Sequence, residues 1–230
     1  MLEVRDLHAF YGESHILHGL SFTVSRGEVV TLIGRNGAGK TTTLKSIIGD
    51  IPDRRGVIRF ENRDVGALAA ERIAACGIGY VPEDRGIFAT LSVLENLTIS
   101  SLRGPAAWKL DQVFDLFPAL SSRLHQRASR LSGGEQQMLA IARPLVMGSR
   151  FLLLDEPTEG LAPVIIDLIG GVLRRLKEQG LTILLVEQNL RFATAVADRH
   201  HLMVNGEIVK TLTNAEIARQ EDQILEHLGV

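Results

Sequence analysis

Short apolar runs, separated by turns and by longer amphipathic stretches, divide the chain into alternating strands and helices. Four of these runs are typical of buried strands, at 29–33, 77–82, 151–154 and 182–186. Helices are predicted between them from apolar positions at helical spacing, near 68–75, over 164–178 and near 189–197. Because strands that alternate with helices usually form a mainly parallel sheet covered by helices, the pattern predicts an α/β fold.

The first and middle parts of the chain show different patterns. Residues 2–33 alternate strand-like segments with turns, and a turn at 52–56 is expected to lead into a strand at 57–60. Residues 92–149 are predicted to be mostly helical, because apolar residues recur there at three- and four-residue spacing: Leu110, Val113, Phe114, Leu116 and Phe117. An amphipathic helix near 215–225 is expected to serve packing rather than membrane anchoring.

Composition is that of an ordinary folded protein and excludes several classes. The 230 residues suffice for one large domain or a domain with an inserted subdomain. A net charge of −2 gives no general attraction to nucleic acid or anionic membranes. The single cysteine, Cys76, rules out a disulfide within the chain, and we expect it to be a small buried hydrophobe. No apolar stretch approaches the roughly 20 residues of a membrane helix, and no signal-peptide pattern begins the chain.

The most specific motif follows the first buried strand. Residues 34–41 match the phosphate-loop pattern GxxxxGK[ST] between a predicted strand and a predicted helix. Glycines let the backbone amides approach phosphate oxygens, and the helix N-terminus adds its dipole. Lys40 is placed to reach the β- and γ-phosphates, and the Thr41 hydroxyl to bind Mg²⁺. The predicted nucleotide contacts of this loop are Asn36, Gly37, Ala38, Gly39, Lys40, Thr41 and Thr42.

Two carboxylates end the apolar run at 151–154. Asp155, at the carboxyl edge of a strand, can hold Mg²⁺ or its water and complete the site begun by Thr41. Glu156 points differently and can orient or deprotonate an attacking water. The long separation between Lys40 and Asp155 predicts an inserted, largely helical subdomain.

A second helix start of the kind that binds anions lies within this insertion. Ser132 can cap the helical run at 138–143, and Gly133 and Gly134 bring unobstructed amides to its start. From these three residues alone, an ordinary serine-capped helix remains the alternative.

The full string Leu131–Gln137, taken with the phosphate loop and with Asp155–Thr158, resembles the ATPases of ABC transporters over essentially the whole chain. The resemblance implies a phosphate-loop NTPase with a RecA-like core and a mainly parallel sheet. It also implies an N-terminal antiparallel β subdomain and an inserted helical subdomain. In this division, 1–230 is a single domain, with 1–85 and 150–230 as the nucleotide-binding core and 86–149 as the helical part.

The same resemblance implies a head-to-tail dimer of ATPase subunits. Each ATP would lie between the phosphate loop of one subunit and Ser132, Gly133 and Gly134 of the other, so that ATP binding closes the dimer and hydrolysis opens it. Tyr11 occupies the position where the family stacks an aromatic ring on adenine.

Other strings resemble one subfamily, the ATPases of branched-chain amino acid importers: Tyr80–Arg85, Leu131–Ala142, Gly160–Pro163 and Leu185–Asn189. Three positions depart from the general family pattern. Glu83 stands where most relatives have Gln, at a position that touches the metal or its water and senses the membrane partner. Gln188 replaces a His that contacts the γ-phosphate and, unlike His, cannot become cationic near neutral pH. Ala162 replaces the Asp usual in the loop that crosses the dimer. We therefore expect hydrolysis to be slower, or differently controlled, than in typical members.

The subfamily implies a set of partners. They are transmembrane permease subunits, a second ATPase subunit that is identical or paralogous and, indirectly, a solute-binding protein, with no nucleic acid. The subunit would work at the cytoplasmic face of the inner membrane. The groove after Glu83 would receive a permease helix, with Ile87 and Phe88 as candidate apolar contacts.

Several alternatives stay open. The subunit could bind ATP as a clamp and leave hydrolysis to a non-identical partner, or power the transport of urea, amides or an exported lipid. A small phosphate-loop kinase would leave Leu131–Gln137 without a use. Pro144 interrupts the helix after Gly134 without a functional account, and the pair His200-His201 is a weak candidate for metal binding.

Overall fold

The computed structural model of the protein describes residues 1–101 and 108–228, except for the side chains at 100, 101, 226 and 227. The strands in it are β1 Leu2–Tyr11, β2 Ser14–Val24, β3 Val29–Ile33, β4 Asp53–Phe60, β5 Arg63–Asp64, β6 Ile78–Val81, β7 Phe151–Asp155, β8 Thr182–Glu187, β9 Arg199–Val204 and β10 Glu207–Thr213. The helices are α1 Lys40–Ile48, α2 Ala70–Ala75, α3 Val93–Ser101, α4 Leu110–Leu116, α5 Pro118–Ser121, α6 Gly133–Val146, α7 Pro163–Glu178, α8 Leu190–Val196, α9 Asn214–Arg219 and α10 Glu221–Leu228.

The strands form two sheets. The larger has the order β10-β9-β3-β8-β7-β6, in which β6, β7, β8, β3 and β9 run parallel and β10 pairs antiparallel with β9. Every residue of β3, β7 and β8 is buried, because helices or the second sheet cover both faces. The smaller sheet is antiparallel, in the order β2-β1-β4-β5.

Strand register brings the predicted chemistry to one edge of the larger sheet. Asp155, the last residue of β7, lies opposite Val186 of β8, and Glu187 of β8 lies opposite Ile33 of β3. The phosphate loop follows Ile33 directly, so the three strands present their carboxyl ends side by side. Ligands of open α/β sheets bind at this edge.

Two large apolar clusters hold these layers. One lies between the smaller sheet and the inner face of the larger sheet and includes Leu7, Phe60 and Phe151. The other joins α3–α7 to the opposite face and includes Phe117 and Leu139. The helices at 93–146 therefore pack on the sheet from the side away from β1 and β4.

The predicted fold class is confirmed, with local corrections. The expected turn at 52–56 was wrong, because β4 begins at Asp53 and pairs with β1 from Phe10 onwards. The C-terminal helix divides at Gln220 into α9 and α10. Cys76 is half-buried rather than buried, 3.8 Å from an Arg63 nitrogen. The predicted helical stretch 92–149 contains four α-helices among the described residues and includes 102–107, which lie outside them.

Pro144 has a packing role. It lies buried inside α6, and a Cβ atom placed on Gly79 of β6 would lie 2.5 Å from the Pro144 Cβ. The proline ring therefore occupies the space that a side chain at 79 would need. The glycine allows α6 to pack closely against β6, and this contact offsets part of the cost of a proline within a helix.

Candidate active site

The phosphate loop is shaped by its glycines. Gly37 and Gly39 have φ values of 81° and 98°, which residues other than glycine rarely adopt. Between them, the Ala38 amide donates to the Arg35 carbonyl over 3.1 Å. A Cβ on Gly39 would also lie 2.8 Å from a methyl carbon of Leu17 in β2. Only glycine fits this position, where the loop turns into α1 against the smaller sheet.

Lys40 is the buried cation of the site. It is 4% exposed, and its Nζ donates to the carbonyls of Gly34 over 2.8 Å and of Arg35 over 3.1 Å. The same nitrogen lies 3.2 Å from Oε1 of Glu156. The ammonium group thus stands between the loop that surrounds it and the carboxylate predicted to handle water.

Asp155 is held from two sides. Thr41 Oγ1 donates to its Oδ1 over 2.9 Å, and the Tyr80 hydroxyl donates to its Oδ2 over 3.0 Å. Burial raises the pKa of Asp155, against the hydrogen bonds from Thr41 and Tyr80, which lower it. Burial and the nearby Asp155 charge raise the pKa of Tyr80 as well, so the phenol stays a donor at neutral pH. The sequence analysis gave Tyr80 no site role, because this contact depends on β6 lying next to β7, which no local sequence pattern indicates.

Glu156 carries backbone strain. Its φ is 44°, an unusual value for a residue other than glycine, and its amide donates to the Val186 carbonyl over 3.0 Å. The side chain is 11% exposed and turns towards Lys40 on one oxygen. On the other oxygen it accepts from Gln188 Nε2 over 2.7 Å, and the same nitrogen donates to Asn36 Oδ1 over 2.6 Å.

Lys40, Thr41 and Glu156 line one open cavity of about 430 Å³, a volume typical of small-molecule sites. Its lining includes Glu156 and most of the predicted nucleotide contacts: Tyr11, Asn36, Gly37, Gly39, Lys40, Thr41, Thr42 and Glu83. Tyr11 is 49% exposed at the rim, as a ring available for stacking must be. Ala38 is buried, and Asp155 lies behind Thr41. Two lining residues that the sequence analysis missed are Ile16 and Glu159.

The donor set at one end of this cavity fits a magnesium ion. Thr41, Glu83 and Asp155 all line an adjoining cavity of about 580 Å³, and they offer the hard oxygen ligands that Mg²⁺ prefers. In the part of the chain that the structure describes, no three His, Cys, Asp or Glu side chains are grouped to hold a metal by themselves. Mg²⁺ commonly binds through one or two carboxylates together with substrate phosphates, which suits this arrangement.

The other predicted anion site is built as a capped helix start. Ser132 Oγ accepts from the Glu135 amide over 3.3 Å, and Glu135 Oε2 accepts from the Ser132 amide over 2.8 Å. None of these capping residues, Ser132, Gly133 and Gly134, lines the cavity around Lys40. Their predicted contact with ATP therefore requires a second subunit and stays a prediction.

The histidine pair has structural roles instead of metal binding. The ring of His200 is hydrogen-bonded to Thr31 Oγ1 over 2.6 Å and to Asn214 Oδ1 over 2.8 Å. Burial lowers the pKa of His200, and burial with the Arg199 charge lowers that of His201 to about 4. Both are neutral members of the core between β9 and its neighbours.

Comparison with known proteins shows which proteins the chain resembles. The family model described as "ABC transporter" matches residues 17–159. The ATP-binding protein BraG of high-affinity branched-chain amino acid transport in Pseudomonas aeruginosa is 42% identical over 94% of both chains. The lipopolysaccharide export ATP-binding protein LptB of Escherichia coli is 34% identical over 99% of this chain and 97% of its own. A solved ATP-binding subunit of an ABC transporter superposes with a TM-score of 0.86 at 29% identity, over the whole of both chains.

The fold and the site define a phosphate-loop ATPase. The chain belongs to the ABC transporter ATP-binding family, whose members bind and hydrolyse ATP. Within residues 1–101 and 108–228, no helix is both long and apolar enough to cross a bilayer.

Proposed function

We propose that the protein is the ATP-hydrolysing subunit of an importer of branched-chain amino acids, leucine, isoleucine and valine. The observation that carries the catalytic part is the contact of Glu156 with both Lys40 and Gln188 at the carboxyl edge of β7 and β8. The cargo part is supported by the 42% identity to BraG across nearly the whole chain and by the 35% identity to a probable LivF of Archaeoglobus fulgidus. No residue of an ATPase subunit needs to touch the cargo.

The proposed roles follow from position. Tyr11 stacks on adenine, while the amides of the loop 36–42 and Lys40 bind the phosphates. Thr41, Asp155 and Glu83 hold Mg²⁺, which when bound neutralises phosphate charge. Glu156 orients and deprotonates the attacking water, and Gln188 fixes Glu156, with its two N–H groups engaged by Glu156 and Asn36. Hydrolysis is thus assigned to Glu156, Lys40 and Gln188.

The proposal includes a second subunit and a membrane partner. Ser132, Gly133 and Gly134 contact the ATP of an identical or paralogous subunit, and the subunit works peripherally at the cytoplasmic face of the membrane. Residues 86–149 act as the helical subdomain that faces the permease subunits. A solute-binding protein delivers the amino acid to those permease subunits. A groove of about 310 Å³ next to the nucleotide cavity, lined by Tyr80, Pro82 and Arg143, supports the proposed binding of a permease helix. Phe88 is exposed and its ring lies under the guanidinium of Arg143, whereas Ile87 packs against the core.

Uptake of labelled leucine tests the proposal. Cells that lack the gene receive either the wild-type gene or Glu156→Gln. Loss of uptake on deletion, with rescue by the wild type only, is the expected result. Rescue by the mutant would contradict the catalytic role of Glu156, and unchanged uptake in a strain without a second importer would contradict the cargo.

Two alternatives have specific support. A clamp subunit with little hydrolysis of its own is favoured by the replacements at Glu83 and Gln188, and would show ATP binding without phosphate release by the purified chain. A lipid-exporting complex is favoured by the 34% identity to LptB. It would leave leucine uptake intact on deletion and alter the lipid content of the outer leaflet instead.

A further inference from the structure

A buried carboxyl group that no proposed step uses lies behind the catalytic residues. Glu187 ends β8, is 2% exposed, and lies opposite Ile33, the last residue before the phosphate loop. Burying such a group is costly unless its oxygens accept hydrogen bonds. The contacts of Glu187 therefore indicate why a carboxyl group stands at this position.

Glu187 accepts hydrogen bonds from two separate loops. The Thr158 hydroxyl donates to its Oε1 over 2.8 Å, and the main-chain amides of Gln188 and Asn189 each donate to its Oε2 over 3.2 Å. Thr158 belongs to the turn that follows Glu156, and Gln188 and Asn189 lie between β8 and α8. The carboxyl group thus joins the loop that carries Glu156 to the loop that carries Gln188.

The side chain of Gln188 depends on this junction. Its Nε2 donates to both Asn36 and Glu156, so a small shift of its main chain would lengthen one of the two bonds. The far side of the loop is already fixed, because Asn189 caps α8 by accepting from the Phe192 amide over 3.0 Å. Glu187 supplies the corresponding anchor on the strand side.

We propose that Glu187 is a positioning residue for ATP hydrolysis, which holds the Gln188 carboxamide between Asn36 and Glu156 by binding the Thr158 hydroxyl and the two loop amides. This inference rests on the hydrolytic roles assigned above to Glu156 and Gln188. Glu187 does not line the cavity around Lys40. Its loss should therefore lower kcat and leave the KM for ATP near the wild-type value.

Three substitutions separate geometry from charge. Glu187→Gln keeps the contacts, because its oxygen can accept both amides while its nitrogen donates to the Thr158 hydroxyl. Glu187→Asp retains a carboxyl group, but the side chain is one methylene shorter, so the carboxyl group lies further from the Thr158 hydroxyl and the loop amides. Thr158→Val removes the hydroxyl contact from the opposite side without touching Glu187. Burial, with a smaller contribution from the nearby charge of Glu156, raises the pKa of Glu187 to about 7, although the hydrogen bonds from Thr158 and the two loop amides lower it. Glu187→Gln thus copies the protonated form.

A double-mutant cycle on the full chain tests the proposal by steady-state phosphate release. We expect Glu187→Asp to lower kcat about tenfold with KM changed less than about twofold, and Glu187→Gln to recover most of the rate. In a Gln188→Ala background, Glu187→Asp should cause no further loss, because the side chain that it positions is gone.

An equal loss in both backgrounds would show a merely structural role and overturn the proposal, as would full activity of Glu187→Asp in the wild-type background. If Glu187→Asp fails to fold, Thr158→Val takes its place in the cycle with the same expectations. Glu156→Gln separates the two levels of inference. An active Glu156→Gln would overturn the proposed catalysis itself, whereas an inactive Glu156→Gln beside a fully active Glu187→Asp would overturn the role of Glu187 alone.

Discussion

The carboxamide of Gln188 donates to Glu156 Oε2 over 2.7 Å, across the edge where β7 and β8 end. The same nitrogen reaches Asn36 of the phosphate loop, so one side chain joins the loops after three neighbouring strands. Glu156 is also held by Lys40 on its other oxygen. The catalytic carboxylate therefore has both oxygens oriented by side chains that come from separate parts of the chain.

Replacing Glu156 by Gln should abolish hydrolysis while preserving ATP binding. The amide has nearly the same shape but cannot accept a proton from water, and general-base catalysis contributes about 100- to 10,000-fold. We expect phosphate release to fall by at least about 100-fold, with the Kd of a fluorescent ATP analogue changed little. Asp167→Asn, on the exposed surface of α7, is the matched control and should hydrolyse normally.

Replacing Gln188 by His should make the rate depend on pH. Gln188 donates to two acceptors at once, whereas a neutral imidazole has one N–H and only the protonated ring has two. Because an unperturbed His has a pKa of about 6.5, the mutant should lose activity relative to the wild type as pH rises from about 6 to 8. The measurement is the pH profile of kcat, and parallel profiles for the two proteins would contradict the expectation.

Replacing Tyr80 by Phe should weaken magnesium binding moderately. The change removes one hydrogen bond to Asp155 Oδ2 and keeps the ring in place, so the loss should be about 1 kcal/mol, or roughly fivefold in affinity. Titrating the rate with Mg²⁺ at saturating ATP measures this as a higher half-saturating concentration. A rate that falls equally at every Mg²⁺ concentration would place Tyr80 outside the metal site.

Replacing Glu187 by Gln should stabilise the protein at alkaline pH only. Because burial raises the pKa of Glu187 to about 7, the folded state retains a proton that the unfolded chain releases at about 4.5. The stability of the wild type should therefore fall as pH rises between these values and level off above about 7. Thermal unfolding at pH 5 and pH 8 should show a higher Tm for the mutant than for the wild type at pH 8. A larger Tm difference at pH 5 than at pH 8 would contradict the raised pKa of Glu187.

Two glycine substitutions should have opposite effects. An alanine at Gly79 would place its Cβ 2.5 Å from Pro144 Cβ and destabilise the packing of α6 on β6 by about 1–3 kcal/mol. An alanine at Gly171 in α7 would meet nothing closer than 4.0 Å and should stabilise the helix by up to about 1 kcal/mol. Denaturant unfolding of the pair measures both, and a neutral Gly79→Ala would contradict the packing role of Pro144.

The sequence by itself determined the fold class and much of the site, since these depend on local patterns. The runs at 29–33, 151–154 and 182–186 are short and apolar because β3, β7 and β8 are buried on both faces. The glycines of the phosphate loop and the serine before α6 could be interpreted from residue type alone, because glycine favours positive φ values and serine favours the position that caps a helix. Asp155 and Glu156 could be predicted because a strand end places its next residues at the ligand-binding edge.

Only the tertiary structure decided which side chains meet. Strand order places β8 between β3 and β7, and from that order alone come the contacts of Gln188 with Asn36 and Glu156 and of Glu187 with Thr158. The bond of Tyr80 to Asp155 depends in the same way on β6 lying next to β7. The residues of each such pair are distant in sequence and share no local pattern. Their contact depends on the order and register of the strands, which local sequence patterns do not indicate.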